Sequence, residues 1–194
     1  MTEIVFATNN PHKLEEARQI AGGRIIIRSL ADINCHDEIP ETADTLKGNA
    51  LQKARWVYDK YGIACFSDDT GLMVDALGGA PGVMTARYAG DHCSPADNIV
   101  KLLHEMKGKA DRRAVFSTVV ALAGPDGEQT FEGSVEGDIA TEPSGSGGFG
   151  YDPVFVPRES GIPFAEMSPE AKNAISHRGR AMRAFFASLL ESCK

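Results

Sequence analysis

Asp68 and Asp69 stand side by side after the apolar run Ile63-Ala64-Cys65-Phe66, which reads as a strand running into Ser67-Asp68-Asp69-Thr70-Gly71. That placement puts two carboxylates at the carboxyl end of a strand, the edge where open α/β sheets bind ligands. Adjacent carboxylates repel, and a divalent cation is a natural compensation; oxygen ligands favour Mg²⁺ over softer metals. Glu41, in Pro40-Glu41-Thr42, is a third carboxylate that the fold would have to bring to the same ion. Adjacent acids are also common in ordinary solvated loops, and the pair alone does not separate the two readings.

Thr8-Asn9-Asn10-Pro11-His12-Lys13 follows the apolar run Ile4-Val5-Phe6-Ala7, which reads as a buried strand. Asn10 suits an N-cap and Pro11 the first helical position. A helix start offers unpaired amides and a partial positive charge, which suit a phosphate. Lys13 opposes the helix dipole there, so a nearby anion would compensate its placement. An ordinary capped turn with a solvated lysine is the competing reading. Farther on, Lys172, His177, Arg178 and Arg180 gather positive charge where the final helix is expected to begin. A purely structural helix start favours acidic residues; a solvated basic face is the alternative.

Gly145-Ser146-Gly147-Gly148-Phe149-Gly150-Tyr151-Asp152-Pro153 combines a permissive backbone, a ring between glycines and a carboxylate held extended by proline. It contains G-x-G-x-x-G, but a dinucleotide fingerprint needs a strand before it and a helix after it. Asp152 to Pro157 reads instead as a short strand. An aromatic face on such a loop suits stacking on a nucleobase. Together the groups imply a free nucleotide with its phosphates.

The elements that position these residues alternate early. A helix over Pro11 to Gly22, with Leu14, Ala17 and Ile20 on one face, precedes a strand at Ile25 to Ile27. A long helix is predicted from Leu46 to Tyr61 and another from the Ser94-Pro95-Ala96-Asp97 capping signature through Met106. Ala114 to Ala123 and Thr130 to Ile139 read as an antiparallel hairpin around Gly124-Pro125-Asp126-Gly127. Met182, Phe185, Phe186, Leu189 and Leu190 form the core stripe of a last helix. The sum is a mixed α/β sheet flanked by helices, in one domain over 1–194.

A chain of 194 residues that is 42% hydrophobic can bury a core of its own. Its net charge of −7, without a basic run, argues against a nucleic-acid polymer as partner. No secretory signal and no apolar stretch of about 20 residues is evident, so no membrane partner is expected. Cys35, Cys65, Cys93 and Cys193 are scattered without a C-x-x-C pair, which fits reduced thiols in a cytoplasm.

Thr8 to Lys13, Ser67 to Gly71, Ala76-Leu77-Gly78-Gly79-Ala80-Pro81-Gly82, Gly147 to Pro153 and Ser176-His177-Arg178 occur in the order and at the separations of one family. Over nearly the whole chain the sequence resembles the noncanonical purine nucleoside triphosphate pyrophosphatases, also called inosine triphosphate pyrophosphatases or XTP/dITP diphosphatases. The resemblance implies an elongated mixed sheet flanked by helices, two lobes with an active-site cleft between them, and a homodimer. It implies Mg²⁺-dependent hydrolysis of ITP, dITP and XTP to monophosphate and pyrophosphate, cleansing the nucleotide pool. Carried over by position, Thr8, Asn9, Asn10, Pro11, His12 and Lys13 would hold the triphosphate, with Lys53 as a further phosphate contact. Asp69 would be proton acceptor and metal ligand, supported by Asp68 and Glu41. Thr70, Gly150 and Tyr151 would contact substrate. Phe149 would stack on the base, and Asp152, Lys172, His177 and Arg178 would read its edge. Asn9 departs from the glycine frequent at that place in the family, and asparagine tolerates left-handed backbone better than most residues.

Two other readings use the same residues. A pyrophosphatase of modified pyrimidines would keep the phosphate and metal groups but differ at Phe149 and Lys172. A nucleotide-sensing module would bind without turnover, and the intact Asp68-Asp69 pair argues against it.

Overall fold

The computed structural model describes residues 2–192; Met1, Cys193 and Lys194 lie outside them. In chain order the elements are β1 (Thr2–Phe6), α1 (Pro11–Ala21), β2 (Ile25–Arg28), α2 (Leu46–Tyr61), β3 (Cys65–Val74), β4 (Pro81–Gly82), α3 (Pro95–Glu105), β5 (Arg113–Gly124), β6 (Gly127–Ile139), β7 (Phe155–Pro157), α4 (Pro169–Ile175) and α5 (His177–Glu191). The strands form one mixed sheet in the order β2-β1-β3-β5-β6-β7, with β4 beside β3. β1 runs parallel to both β2 and β3, whereas β3–β4 and β6–β7 are antiparallel. Only Pro125 and Asp126 connect β5 to β6, a link too short for a parallel pair. This is the expected mixed α/β class.

The chain divides into two compact units. The first comprises the chain up to Asp69, Thr118–Gly133 and the chain from Arg178. Strand alternation sorts its core into two sets. Ile4, Phe6, Phe66 and Val120 pack with Ala17 and Ala21 of α1 and with Met182, Phe185 and Phe186 of α5. The intervening Val5, Ala7, Cys65, Val119 and Ala121 pack with Ala50, Ala54 and Val57 of α2. The stripe predicted on the last helix is therefore buried at Met182, Phe185 and Phe186, while Leu189 and Leu190 are half-buried. Cys65 is buried in the second set, its thiol pushed up to about 12 chiefly by that burial.

The second unit comprises Thr70–Ser117 and Ser134–His177. Its core joins Leu72 and Val74 of β3, Ile99 and Leu102 of α3, Phe116 of β5, and Tyr151, Phe155 and Phe164. α3 begins as predicted: Ser94 and Asp97 form the reciprocal capping box. Some boundaries move. β6 starts at Gly127, not Thr130, and β7 at Phe155, leaving Asp152 in the preceding turn. Among the described residues no helix is long and apolar enough to cross a membrane.

Candidate functional site

Asp68 and Asp69 lie inside β3, not at its carboxyl end as the sequence suggested, and the strand continues to Val74. Side-chain partners meet both carboxylates, so neither has to leave the sheet for water. Successive strand residues point to opposite faces, and the two acids therefore act separately. Asp68 turns toward α1 and α5: its Oδ1 accepts from Lys13 Nζ at 2.9 Å and its Oδ2 from Arg178 Nε at 2.9 Å. Arg178 Nη1 also donates to Glu16 Oε2 at 2.7 Å. Asp69 turns toward α2, where Asn49 Nδ2 donates to its Oδ2 at 3.1 Å. Lys53 Nζ, also from α2, donates to Glu41 Oε1 at 2.5 Å and to the Asp68 carbonyl at 2.7 Å.

These settings push the two carboxyls apart. Burial by itself would raise Asp68, but Lys13, Arg178 and Lys53 outweigh it and hold the group well below the usual carboxylate range. Burial raises Asp69; Lys53 and Lys13 oppose the rise and the Glu41 charge adds to it. Lys13 is lowered, mainly by burial, with Asp68 pulling the other way. Asp68 is thus a fixed anion, and Asp69 is the stronger base of the two. Neighbouring acids with separated pKa values are a pattern of acid/base sites. Among the described residues no three His, Cys, Asp or Glu side chains close into a metal-binding group.

The start of α1 differs from the bare cradle the sequence suggested. Asn10 Oδ1 accepts from the amides of His12 at 3.0 Å and Lys13 at 3.3 Å. Pro11 has no amide hydrogen, and Leu14 N donates to the Asn10 carbonyl at 3.2 Å. The Asn10 amide in turn donates to Thr8 Oγ1 at 3.2 Å. The first-turn amides are engaged by the cap itself, which leaves the Lys13 ammonium as this segment's main attraction for phosphate. Asn34 is the one non-glycine residue with positive φ among those described, so Asn9 does not take the left-handed backbone that glycine would favour.

In the second unit, Asp152 organises the glycine loop. Its Oδ2 accepts from the Phe149 amide at 2.8 Å and from Lys172 Nζ at 2.6 Å. The Lys172 ammonium sits 4.8 Å from the Phe149 ring centroid. Asp152 and Lys172 are both buried, whereas Phe149 is half-buried. His177 is buried with its ring stacked on Phe116 at 4.4 Å. Tyr151 is buried too, its hydroxyl donating to the Thr85 carbonyl at 2.9 Å, so its side chain braces the loop from within. Thr70 opens this unit, next in the chain to Asp69. Lys172 and Arg178 do not share one helix start: Lys172 belongs to α4, which ends at Ile175, and His177 opens α5. Arg178, expected to read a base edge, is held by Asp68 and Glu16 in the first unit.

With this geometry in view, the Ham1 family model matches residues 4–188. The chain belongs to the Ham1 family. A Porphyromonas gingivalis protein named dITP/XTP pyrophosphatase is 54% identical over 183 residues, covering 94% of each chain. Among solved structures, the Staphylococcus aureus Ham1 protein superposes with a TM-score of 0.88 at 36% identity, covering 100% of both chains. A dITP/XTP pyrophosphatase from Mycobacterium abscessus superposes with a TM-score of 0.76 at 43% identity, covering 95% of this chain and 98% of that one.

The glycines of this Ham1 loop serve close approach more than freedom for Phe149. Gly145 and Gly147 pack on the backbone of Ala165, and a Cβ at either would come within 3 Å of it. Gly148 has φ +69°, and a Cβ there would lie 2.0 Å from Asp152 Oδ2. Gly148→Ala therefore pays a left-handed backbone penalty of about 1–2 kcal/mol and also drives Asp152 off Lys172 and the Phe149 amide. A lower thermal midpoint and a more than tenfold rise in KM for a purine triphosphate are the expected results, read by melting and steady-state kinetics. Sequence reasoning missed Glu16 and Asn49, which read as ordinary polar helix residues; only their partners give them meaning.

Proposed function

We propose that the chain hydrolyses ITP, dITP and XTP to the nucleoside monophosphate and pyrophosphate with Mg²⁺, removing these nucleotides from the pool. The observation that carries the reading is the Lys172–Asp152 ammonium–carboxylate pair beside the Phe149 ring. Hypoxanthine and xanthine carry a 6-carbonyl next to an N1–H. Lys172 would donate to the carbonyl, Asp152 would accept from N1–H, and Phe149 would stack on the ring. Adenine inverts both groups, leaving a buried ammonium against a donor and a carboxylate against an acceptor, a costly mismatch. The names of the Porphyromonas gingivalis and Mycobacterium abscessus relatives support dITP and XTP as substrates.

Lys13 and Lys53 would neutralise charge on the phosphates, and Asp69, the more basic carboxyl, would take the proton from the attacking water. The new bond forms from that water oxygen to the α-phosphorus, and the bond to the bridging oxygen breaks as pyrophosphate leaves. Glu41 and Asp69 fit Mg²⁺: they are hard oxygen donors, and the Glu41 charge already raises Asp69. Mg²⁺ commonly takes one or two carboxylates plus substrate phosphates, so a three-acid cage is not required. When bound, the ion would supply charge neutralisation on the phosphate oxygens. Asp68 would act indirectly, anchoring Lys13. The protein would work as a homodimer in the cytoplasm, and light scattering of the purified protein checks the dimer.

The test is a panel of dITP, XTP, dATP and dGTP, with and without Mg²⁺. Mg²⁺-dependent turnover of dITP and XTP far above dATP is the expected outcome. Equal turnover of dATP, or turnover indifferent to Mg²⁺, would sink the assignment.

A further inference from the structure

We propose that Asn49 is the positioning residue of this site: it fixes the orientation of the Asp69 carboxylate and ties it to the segment that carries Glu41. Asn49 is buried, and both ends of its amide are used. Nδ2 donates to Asp69 Oδ2 at 3.1 Å, while Oδ1 accepts from the Ala43 amide at 2.8 Å. A carboxylate requires a donor and a backbone N–H requires an acceptor, so only one orientation of the amide satisfies both.

Two further residues of α2 hold the same segment. Gln52 and Thr42 bond reciprocally: the Thr42 amide donates to Gln52 Oε1 at 2.8 Å, and Gln52 Nε2 donates to Thr42 Oγ1 at 2.8 Å. Lys53 holds Glu41 itself. Asn49, Gln52 and Lys53 lie at helical spacing, so one face of α2 clamps residues 41–43, and Asn49 and Lys53 extend that clamp to β3. Asp69 lies on a regular strand and Glu41 on a segment without regular structure. Asn49 bonds both that segment and the Asp69 carboxylate itself, whereas Lys53, which also bridges the two, meets β3 at the Asp68 carbonyl. A base held within a narrow angular range is worth more to the reaction than to substrate binding. The role of Asn49 in turnover rests on the function proposed above; its hydrogen-bond role does not.

Asn49→Asp separates the two bonds. It keeps an acceptor for Ala43 N, removes the donor to Asp69 and faces one carboxylate with another. For dITP, kcat is expected to fall about 10- to 100-fold, the range for partners that orient reacting groups, with KM within about threefold. Asn49→Asp also lowers the urea midpoint, and the exchanged pair Asn49→Asp/Asp69→Asn restores it by reversing the hydrogen bond, without restoring turnover. A kcat unchanged in Asn49→Asp, or a fall matched by an equal rise in KM, overturns the positioning role. Failure of the exchange to restore the midpoint overturns the pairing, whatever the chain hydrolyses. A wild-type chain that leaves dITP intact defeats the function proposed above and with it the role in turnover, and the exchange then decides the pairing alone.

Discussion

Asp69→Asn lowers turnover of dITP by about 10²- to 10⁴-fold, the usual worth of a positioned general base, while dITP binding stays measurable by calorimetry. The substitution keeps the volume and the place on β3 but removes the proposed proton acceptor. It also removes one of the two carboxylates proposed to hold Mg²⁺, so a higher Mg²⁺ concentration for half activation is expected. Burial, the largest influence on Asp69, makes it the more basic of the adjacent acids, and that is why the loss falls on turnover. Undiminished turnover in Asp69→Asn would remove this residue from the role.

Asp68→Asn has its largest effect on stability. It leaves the Lys13 ammonium and the Arg178 guanidinium, each bonded to one Asp68 oxygen, without their shared counter-charge. Breaking a buried pair by removing one partner costs about 3–5 kcal/mol, and urea unfolding near neutral pH measures it. The pH dependence follows from the depressed carboxyl of Asp68. Its contribution is full above the unfolded carboxyl value of about 4 and is lost as pH falls through the lower folded value. The gap between wild type and Asp68→Asn therefore stays constant above that value and closes below it. A gap that widens toward acid would contradict the arrangement.

Local partners made parts of the fold legible in the sequence. Asn10 caps amides two and three residues away, and Ser94 meets Asp97 three residues on, so both helix starts could be read directly. The alternation of Ile4, Val5 and Phe6 between two packing sets was implicit in an apolar strand. Asp68 shows the opposite case. Aspartate disfavours strands, and what keeps it in β3 comes from Lys13, 55 positions away, and Arg178, 110 positions away. The glycine loop was recognisable, but the reason for its glycines was not: Ala165 and the Asp152 carboxylate, which press on them, become neighbours only in the folded chain. The basic cluster before the last helix divides because Ser176 ends α4 and His177 starts a new helix.

The proposed reaction is attack of water on the α-phosphorus of a 6-oxopurine triphosphate. Hydrolysis of dITP in ¹⁸O-labelled water, with both products resolved by mass spectrometry, tests it most directly. Pyrophosphate as the released anion and the label in the monophosphate are the expected outcome. Label in pyrophosphate, or release of orthophosphate, would contradict it.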